Sequence, residues 1–412
     1  MMNEQSKGPR ELLFLAQRVP YPPDRGDRIT TWNLLRSFIE GGDRIRILAF
    51  AENEADVAAA RELERRGCEI TAPRISPTWR RRWSARHLLG KEAITLPYFR
   101  HPELQRCMAR WVRERPPELC FAYSSSMGQY LIQELKQLQN CPKIMQFAEL
   151  DSDKWRQYAE RSGRIGRMVY GREARLLQDF ERKLAQVMDL NLVVSEIEKD
   201  LFERVIPDAP VQVLSNGVDL EAFRPAAPEA REPQTLIFTG VMDYRPNLDS
   251  VLRFTKSIWP SLRAAYPQAK FLVVGKNPTS ELQALHGKNG IEISGWVEST
   301  LPWFDRASIA VVPMRIARGV QNKVLESMAC GLASVVSPKA FEGIDAVDGE
   351  EILVADSDED FVRELLALLG DAERRQSLGT AARRAMEQRY AWSAIHERME
   401  QLIAKLPGTR GS

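Results

Sequence analysis

Ala307-Ser308-Ile309-Ala310-Val311-Val312-Pro313 is followed by Met314-Arg315-Ile316-Ala317-Arg318-Gly319-Val320-Gln321-Asn322, then by Lys323-Val324-Leu325-Glu326-Ser327-Met328-Ala329-Cys330-Gly331. The first piece is a short, uninterrupted apolar run, as a strand buried on both faces requires. The second is a basic loop containing a glycine. In the third, Val324, Leu325, Met328 and Ala329 share one helical face, and Gly331 suits the left-handed residue that ends helices. Strand, loop and helix in that order is the repeating unit of a parallel sheet.

The same unit recurs on both sides of this stretch. Upstream, strand-like runs lie at 12–16, 46–50, 68–71, 119–123, 143–147, 190–194 and 211–214, with helical patterns at 54–66 and 195–204 among them. The pattern restarts at Thr235-Leu236-Ile237-Phe238-Thr239-Gly240 and continues through runs at 270–275, 291–294, 333–337 and 351–354. A last helix over 392–405 places Ile395, Met399 and Ile403 on one side. The fold class is α/β. A chain of 412 residues exceeds one ordinary core, and two successive α/β sets divide near residue 218. The expected domains are 1–217 and 218–388, with 389–412 as a helix packing back on the first.

Composition excludes several classes. A net charge of +2 argues against a general nucleic-acid binder. Five scattered cysteines and four scattered histidines show no metal or redox spacing, so no metal site is expected and the cysteines read as reduced, in a cytoplasm. The apolar run at 12–16 is too short for a signal-peptide core, and nothing reaches the roughly 20 residues that span a bilayer. No Gly-x-Gly-x-x-Gly follows a strand, which argues against a dinucleotide oxidoreductase.

Ligands of open α/β sheets bind at the carboxyl ends of strands. The loop after Val312 leads into a helix whose unpaired N–H groups and positive dipole end suit a diphosphate. Arg315, Arg318 and Lys323 add charge, and Glu326, one turn inside the helix, is placed to accept hydrogen bonds from ribose hydroxyls. The residues alone fit an ordinary surface Lys–Glu pair equally well.

Asn322-Lys323-x-Leu325-Glu326-x-Met328-Ala329-x-Gly331 resembles the signature of the family 4, or group 1, glycosyltransferases of the GT-B fold, in which two Rossmann-like domains face each other across a cleft. Ser215-Asn216-Gly217-Val218-Asp219 with Phe223 and Pro225 resembles the family's crossover between domains. Phe238-Thr239-Gly240 resembles the first loop of its donor domain, and Val273-Val274-Gly275 and Ser294-Gly295-Trp296-Val297 resemble the strands framing the base. Pro20-Tyr21-Pro22-Pro23-Asp24-x-Gly26-Asp27-Arg28, Asp151-Ser152-Asp153-Lys154-Trp155 and Met242-Asp243-Tyr244-Arg245-Pro246-Asn247 are similar to the transferases of exosortase (PEP-CTERM) exopolysaccharide loci. The resemblance implies an N-terminal acceptor domain and a C-terminal donor domain. It also implies transfer from a nucleoside-diphosphate sugar to a carbohydrate or lipid-linked acceptor, with retention and without a cofactor or metal.

The residues so implied for the donor are Gly26, Asp27, Gly240, Asn247, Gly275, Trp296, Val297, Arg315, Gly319, Val320, Gln321, Asn322 and Glu326. Arg245, Arg318, Lys323 and Asp153 are expected to serve the reaction itself. One departure is visible: the family's first glutamate, eight residues before the ribose-binding one, is Arg318 here.

Three further segments carry expectations. Gly26 precedes a helix expected to start near Thr30. Asp151 and Asp153 read either as helix N-caps or as groups orienting an acceptor hydroxyl. Trp79-Arg80-Arg81-Arg82-Trp83-Ser84-Ala85-Arg86-His87 reads either as a basic loop or as a docking run for an anionic membrane at the inner face. Between Lys154 and Lys183, nine Lys/Arg against four Asp/Glu read as a solvated helix face. Alternatives to a transferase are a sugar-nucleotide epimerase of similar fold and a non-catalytic sugar-nucleotide-binding subunit of a polysaccharide assembly complex.

Overall fold

A computed structural model describes residues 9–76, 80, 84, 87–88, 90–160, 162–317 and 319–407. They fall into two compact units, Met1–Leu214 with His396–Ser412, and Ser215–Ile395.

The first unit holds seven strands: β1 (Glu11–Leu15), β2 (Arg44–Leu48), β3 (Glu69–Thr71), β4 (Leu119–Tyr123), β5 (Lys143–Ala148), β6 (Leu190–Val193) and β7 (Val211–Val213). Their order is β3-β2-β1-β4-β5-β6-β7, all parallel. In the second unit β8 (Thr235–Thr239), β9 (Lys270–Val274), β10 (Ile291–Ile293), β11 (Ile309–Val312), β12 (Ala333–Val336) and β13 (Leu353–Val354) form a parallel sheet ordered β10-β9-β8-β11-β12-β13. In each sheet the chain reverses its direction of progress at the first strand, so β1 and β8 mark the switch points where ligands of this architecture bind.

The strands are apolar throughout because helices cover both faces. Leu12 to Leu15 and Val311 and Val335 are fully buried. In the second unit Phe254 packs tilted against Phe271 at 4.6 Å between ring centroids, with Trp259 5.7 Å from Phe271. The Trp259 indole N–H donates to the Asn289 carbonyl at 2.9 Å, so this large ring is buried without an orphaned donor. Burial of a ring such as Phe271 contributes about 2 kcal/mol.

Glycines explain two junctions. A Cβ at Gly217 would sit 2.5 Å from the Trp392 ring, and the neighbouring Val218 N–H donates to the Tyr390 carbonyl at 2.7 Å. Gly379 lets its helix, Ala372–Arg389, cross the end of the helix Asn322–Ala329, since a Cβ there would lie 2.1 Å from the Gly331 carbonyl oxygen. The final helix is Trp392–Ile403, and its Glu400 accepts from the Arg10 guanidinium at 2.9 and 3.0 Å within the first unit.

Two local expectations are corrected. The helix expected near Thr30 begins at Gly26, because Arg25 is extended and Asp27 supplies a carboxylate to the first turn. The helix after β5 begins at Asp151, so neither Asp151 nor Asp153 occupies a cap position.

Candidate functional site

Three loops meet at the carboxyl ends of β9, β8 and β11. Gly275 after β9 and Gly240 after β8 are in closest contact: a Cβ on Gly275 would lie 1.7 Å from the Gly240 carbonyl oxygen. A Cβ on Gly240 would in turn fall 2.6 Å from the Asn247 amide nitrogen and 3.1 Å from the Lys323 ammonium. Both positions therefore exclude any side chain, and the backbone is left bare where the loops converge.

Lys323 enters from the helix Asn322–Ala329. Its ammonium donates to Asn247 Oδ1 at 2.5 Å and lies 4.3 Å from the centre of the Phe238 ring. Asn247 is itself fixed, its amide donating to the Val241 carbonyl at 3.0 Å. Burial pushes the Lys323 ammonium down to about 7, against the opposing pull of Glu326. Burial likewise pushes Glu326 up to about 7, with Lys323 pulling the other way. Both groups are held away from their charged forms by lack of water, and a ligand bringing negative charge to Lys323 would reverse its shift.

The helix carrying them starts after extended Gln321 without a side-chain cap. Asn322 Oδ1 at its first position is buried with no hydrogen-bond partner. A buried acceptor beside uncapped helix N–H groups is an incomplete arrangement, one a ligand with both phosphate acceptors and hydroxyl donors completes. Gly319, in the left-handed region at φ 63°, turns the preceding loop, and the Gln321 amide donates to its carbonyl at 3.1 Å. Val320 is half-buried there.

Other expected donor residues are placed as follows. Arg245 is the exposed first residue of the helix Arg245–Arg253 that presents Asn247. Arg315 is exposed and engaged: Asp249 of that same helix takes its guanidinium at 2.5 and 3.1 Å. The expected free phosphate cation is thus half of a surface ion pair, because β8 and β11 are neighbours and bring the two loops together. Trp296 is 73% exposed, while Val297 packs on the core beneath. The Gly275 N–H donates to Ser294 Oγ at 3.1 Å, tying the two loops that flank them. Arg318 lies outside the described residues.

Gly26 and Asp27 belong to the first unit, where Arg18 and Arg25 hold the Asp27 carboxylate at 3.0 and 2.6 Å. Asp153 is buried and held by Arg156 Nε at 2.9 Å and Gln157 at 2.8 Å. Its neighbour Asp151 instead accepts from the Ser125 hydroxyl at 3.2 Å. Gln17 donates to the Ser124 and Ser126 hydroxyls at 2.7 and 2.9 Å. Glu181, fully buried, accepts from the Ser152 N–H at 3.3 Å, and its other oxygen has no partner. Burial, then the nearby Asp151 charge, pushes Glu181 up to about 8. Ser124 and Ala148 both sit at positive φ, 72° and 60°, after β4 and in β5. Strained backbone after β4 and in β5, the serines 124–126, Gln17, Asp151 at its helix start and Glu181 inside the helix Arg164–Val187 form a second polar cluster.

The sequence motifs include Phe238, Ser294 and Asp151 but give Phe238 and Ser294 no role of their own, and Asp249, Gln17, Ser125 and Glu181 were missed. One signal was available: Glu181 occupies an apolar helical position, four after Leu177 and three before Leu184. In the basic-aromatic run one residue differs from the expected surface charge. Arg80 is buried, its guanidinium donating to the carbonyls of Tyr98 and Arg100, so it faces the protein. Trp79, Arg81, Arg82, Trp83, Ala85 and Arg86 lie outside the described residues. Among the described residues no helix is long and apolar enough to cross a membrane.

Known proteins share this architecture. Sucrose-phosphate synthase from Thermosynechococcus elongatus superposes with a TM-score of 0.68 at 17% identity, over 96% of this chain and 98% of that one. Anabaena HepE, solved with UDP, gives 0.67 at 14% identity over 96% and 100%. WaaG, a glycosyltransferase involved in lipopolysaccharide biosynthesis, gives 0.66 at 15% identity over 96% and 100%. The class is therefore defined: the chain has the α/β GT-B fold of these glycosyltransferases. Residues 233–371, which hold all three converging loops, match the family described as Glycosyl transferases group 1. A GDP-mannose-dependent monoacylated alpha-(1-6)-phosphatidylinositol monomannoside mannosyltransferase from Corynebacterium glutamicum is 25% identical over 250 residues, 55% of this chain. The match spans 65% of that relative's length.

Proposed function

We propose that the protein is a glycosyltransferase that moves a sugar from a nucleoside-diphosphate sugar to a carbohydrate or lipid-linked acceptor. The observation carrying this reading is the convergence of Gly240, Gly275, Asn247, Lys323 and Glu326 around bare backbone and an uncapped helix start. The group 1 match over residues 233–371 supports it. The diphosphate rests against the N–H groups at Asn322 and the Lys323 ammonium, with the Gly240 and Gly275 backbones beneath. Glu326 accepts from the ribose hydroxyls, and Trp296 and Val297 border the base.

In the reaction the bond from the sugar's anomeric carbon to the diphosphate oxygen breaks, and the bond to the acceptor oxygen forms. The acceptor's proton goes to the departing phosphate oxygen, with attack on the face the diphosphate leaves and hence retention. Charge grows on the diphosphate, so Lys323, the helix N-terminus, Arg245 and Arg318 stabilise the transition state more than the ground state. No metal or cofactor enters this reading. In the first unit the Asp151–Ser125–Glu181 cluster is the acceptor-side candidate, in place of Asp153, which is occupied by Arg156. Likeness to the exosortase-associated transferases supports a place in exopolysaccharide synthesis, on the cytoplasmic side.

The reading is tested by incubating the protein with a panel of nucleotide sugars and measuring released nucleoside diphosphate, with and without Mg2+. One donor turned over by the wild type and not by Glu326→Ala supports it. A folded protein that binds a donor but releases nothing with any acceptor extract favours the non-catalytic sugar-nucleotide-binding subunit.

A further inference from the structure

Two helices of the first unit, Asp151–Glu160 and Arg164–Val187, form a hairpin whose inner side is closely packed. Trp155 stacks on Tyr170 at 5.5 Å between centroids, and Tyr158 meets Tyr170 edge-on at 6.1 Å. A Cβ on Gly166 would lie 2.8 Å from Ser162, and one on Gly171 4.0 Å from Ala159. The base of the hairpin is pinned as well. Glu173 is buried and accepts from the N–H groups of Ile94 and Thr95 at 2.6 and 2.8 Å, and Arg172 donates to the carbonyls of His87 and Glu92.

The outer side is built differently. At about 100° per residue, Arg164, Ile165, Arg167, Met168 and Arg175 fall on one face of the long helix. Ile165 is 78% and Met168 71% exposed, the largest exposures of aliphatic side chains among the described residues, and Tyr158 at the hairpin's edge is 44% exposed. Arg164, Arg167 and Arg175 are exposed, with no carboxylate partner among the described residues. From Arg164 to Gln178 the one acidic side chain is Glu173, which is turned inward. Asp179, the first acid on this face, is taken by Arg182 at 3.6 Å, so the face is apolar and net basic, with Arg164, Arg167 and Arg175 left unbalanced. A solvated helix face normally intersperses both signs.

The geometry points to this face as a docking surface for an anionic phospholipid bilayer. Ile165 and Met168 enter the boundary between headgroups and acyl chains, and Arg164, Arg167 and Arg175 lie among the phosphates. Tyr158 sits at headgroup level. Charge complementarity selects the occupant: a protein partner or a second copy of this chain would have to present a wholly acidic patch around an apolar centre. Interfacial binding needs both terms, apolar insertion and attraction to anionic lipid, since neither alone anchors stably. The surface differs from the 79–87 run, whose Arg80 faces inward. It does not depend on the transferase reading, because no residue of the donor site takes part.

The test is co-sedimentation of the full-length protein with vesicles of phosphatidylcholine, and with vesicles in which about a third of the lipid is phosphatidylglycerol. The wild type is expected to bind the anionic vesicles and not the neutral ones. Ile165→Asp with Met168→Asp is expected to lower that binding at least about tenfold, and Arg164→Gln with Arg167→Gln to remove the preference for anionic lipid. Both pairs are solvent-exposed, so melting temperature and nucleotide binding stay at wild-type values and report an intact fold. Failure of the wild type to bind anionic vesicles, or unchanged binding by both double variants, overturns the proposal. Concentration-dependent self-association that Ile165→Asp with Met168→Asp abolishes, without vesicle binding by the wild type, also overturns it and assigns the face to a second copy.

Discussion

Lys323 and Glu326 make donor binding a titration. Burial holds the apo ammonium at about 7 and the apo carboxyl at about 7. The donor's diphosphate needs Lys323 charged, and the ribose hydroxyls need Glu326 ionised. Lys323 lies below its ordinary value, so its charged form is lost as pH rises through about 7. Glu326 lies above its ordinary value, so its charged form is lost as pH falls through about 7. Affinity for a nucleotide sugar, which has no phosphate ionisation of its own in this range, is therefore bell-shaped and centred near neutrality. With both groups at about 7, the fraction in the binding form falls by more than about tenfold from about pH 7 to about pH 9, on the order of 2 kcal/mol. An ordinary lysine would instead give a rise of about twofold there, as Glu326 completes its ionisation. Titration calorimetry across this range measures it directly. Lys323→Met is expected to bind weakly and lose the alkaline limb, and Glu326→Gln to lose the acid limb. Affinity that stays within twofold up to about pH 9 in folded protein, or an alkaline limb that survives in Lys323→Met, refutes the reasoning.

Three further outcomes follow from the geometry. Gly275→Ala forces a Cβ to within 1.7 Å of the Gly240 carbonyl; thermal or urea unfolding should show a loss of about 2 kcal/mol or more, together with loss of donor binding. The double variant Lys323→Met, Glu326→Gln removes two groups that burial holds off their charged states, so its melting temperature should rise by several degrees while binding disappears. A lower melting temperature would show that the pair is structural. Glu181 titrates near 8 when folded, above its unfolded value. Its contribution to stability is complete at acid pH and lost as pH rises through about 8. Wild-type stability should fall by on the order of 3 kcal/mol from about pH 5 to about pH 8 relative to Glu181→Gln, and urea unfolding of both proteins at both pH values checks it.

The sheets were legible because each strand carries its own signal. Leu119–Tyr123 is an apolar run with identical ends in sequence and structure, and the runs at 235–240 and 270–275 overshoot by one residue each. Gly26 was placed in the loop before a helix near Thr30, whereas the helix itself starts at Gly26. Lys323 and Glu326 were found together because they are three apart on one helix. What joins them to Asn247, Phe238 and Gly275 is the order of strands, which no local pattern displays. The same order explains Arg315: its partner Asp249 is 66 residues away and reaches it because β8 lies beside β11. Arg80 looked like surface charge for a similar reason, since the carbonyls that bind it, on Tyr98 and Arg100, come from a later segment.

The central claim is that Lys323, Glu326 and the loops beneath them hold a nucleoside diphosphate. Titration calorimetry of the wild type, Lys323→Ala and Glu326→Ala against a panel of nucleoside diphosphates and their sugars, with and without Mg2+, tests it most directly. The account predicts micromolar binding of one base by the wild type without added metal, and at least about a tenfold loss in each folded variant. Wild-type protein that binds none of the panel, or variants that bind as tightly as the wild type, would contradict it.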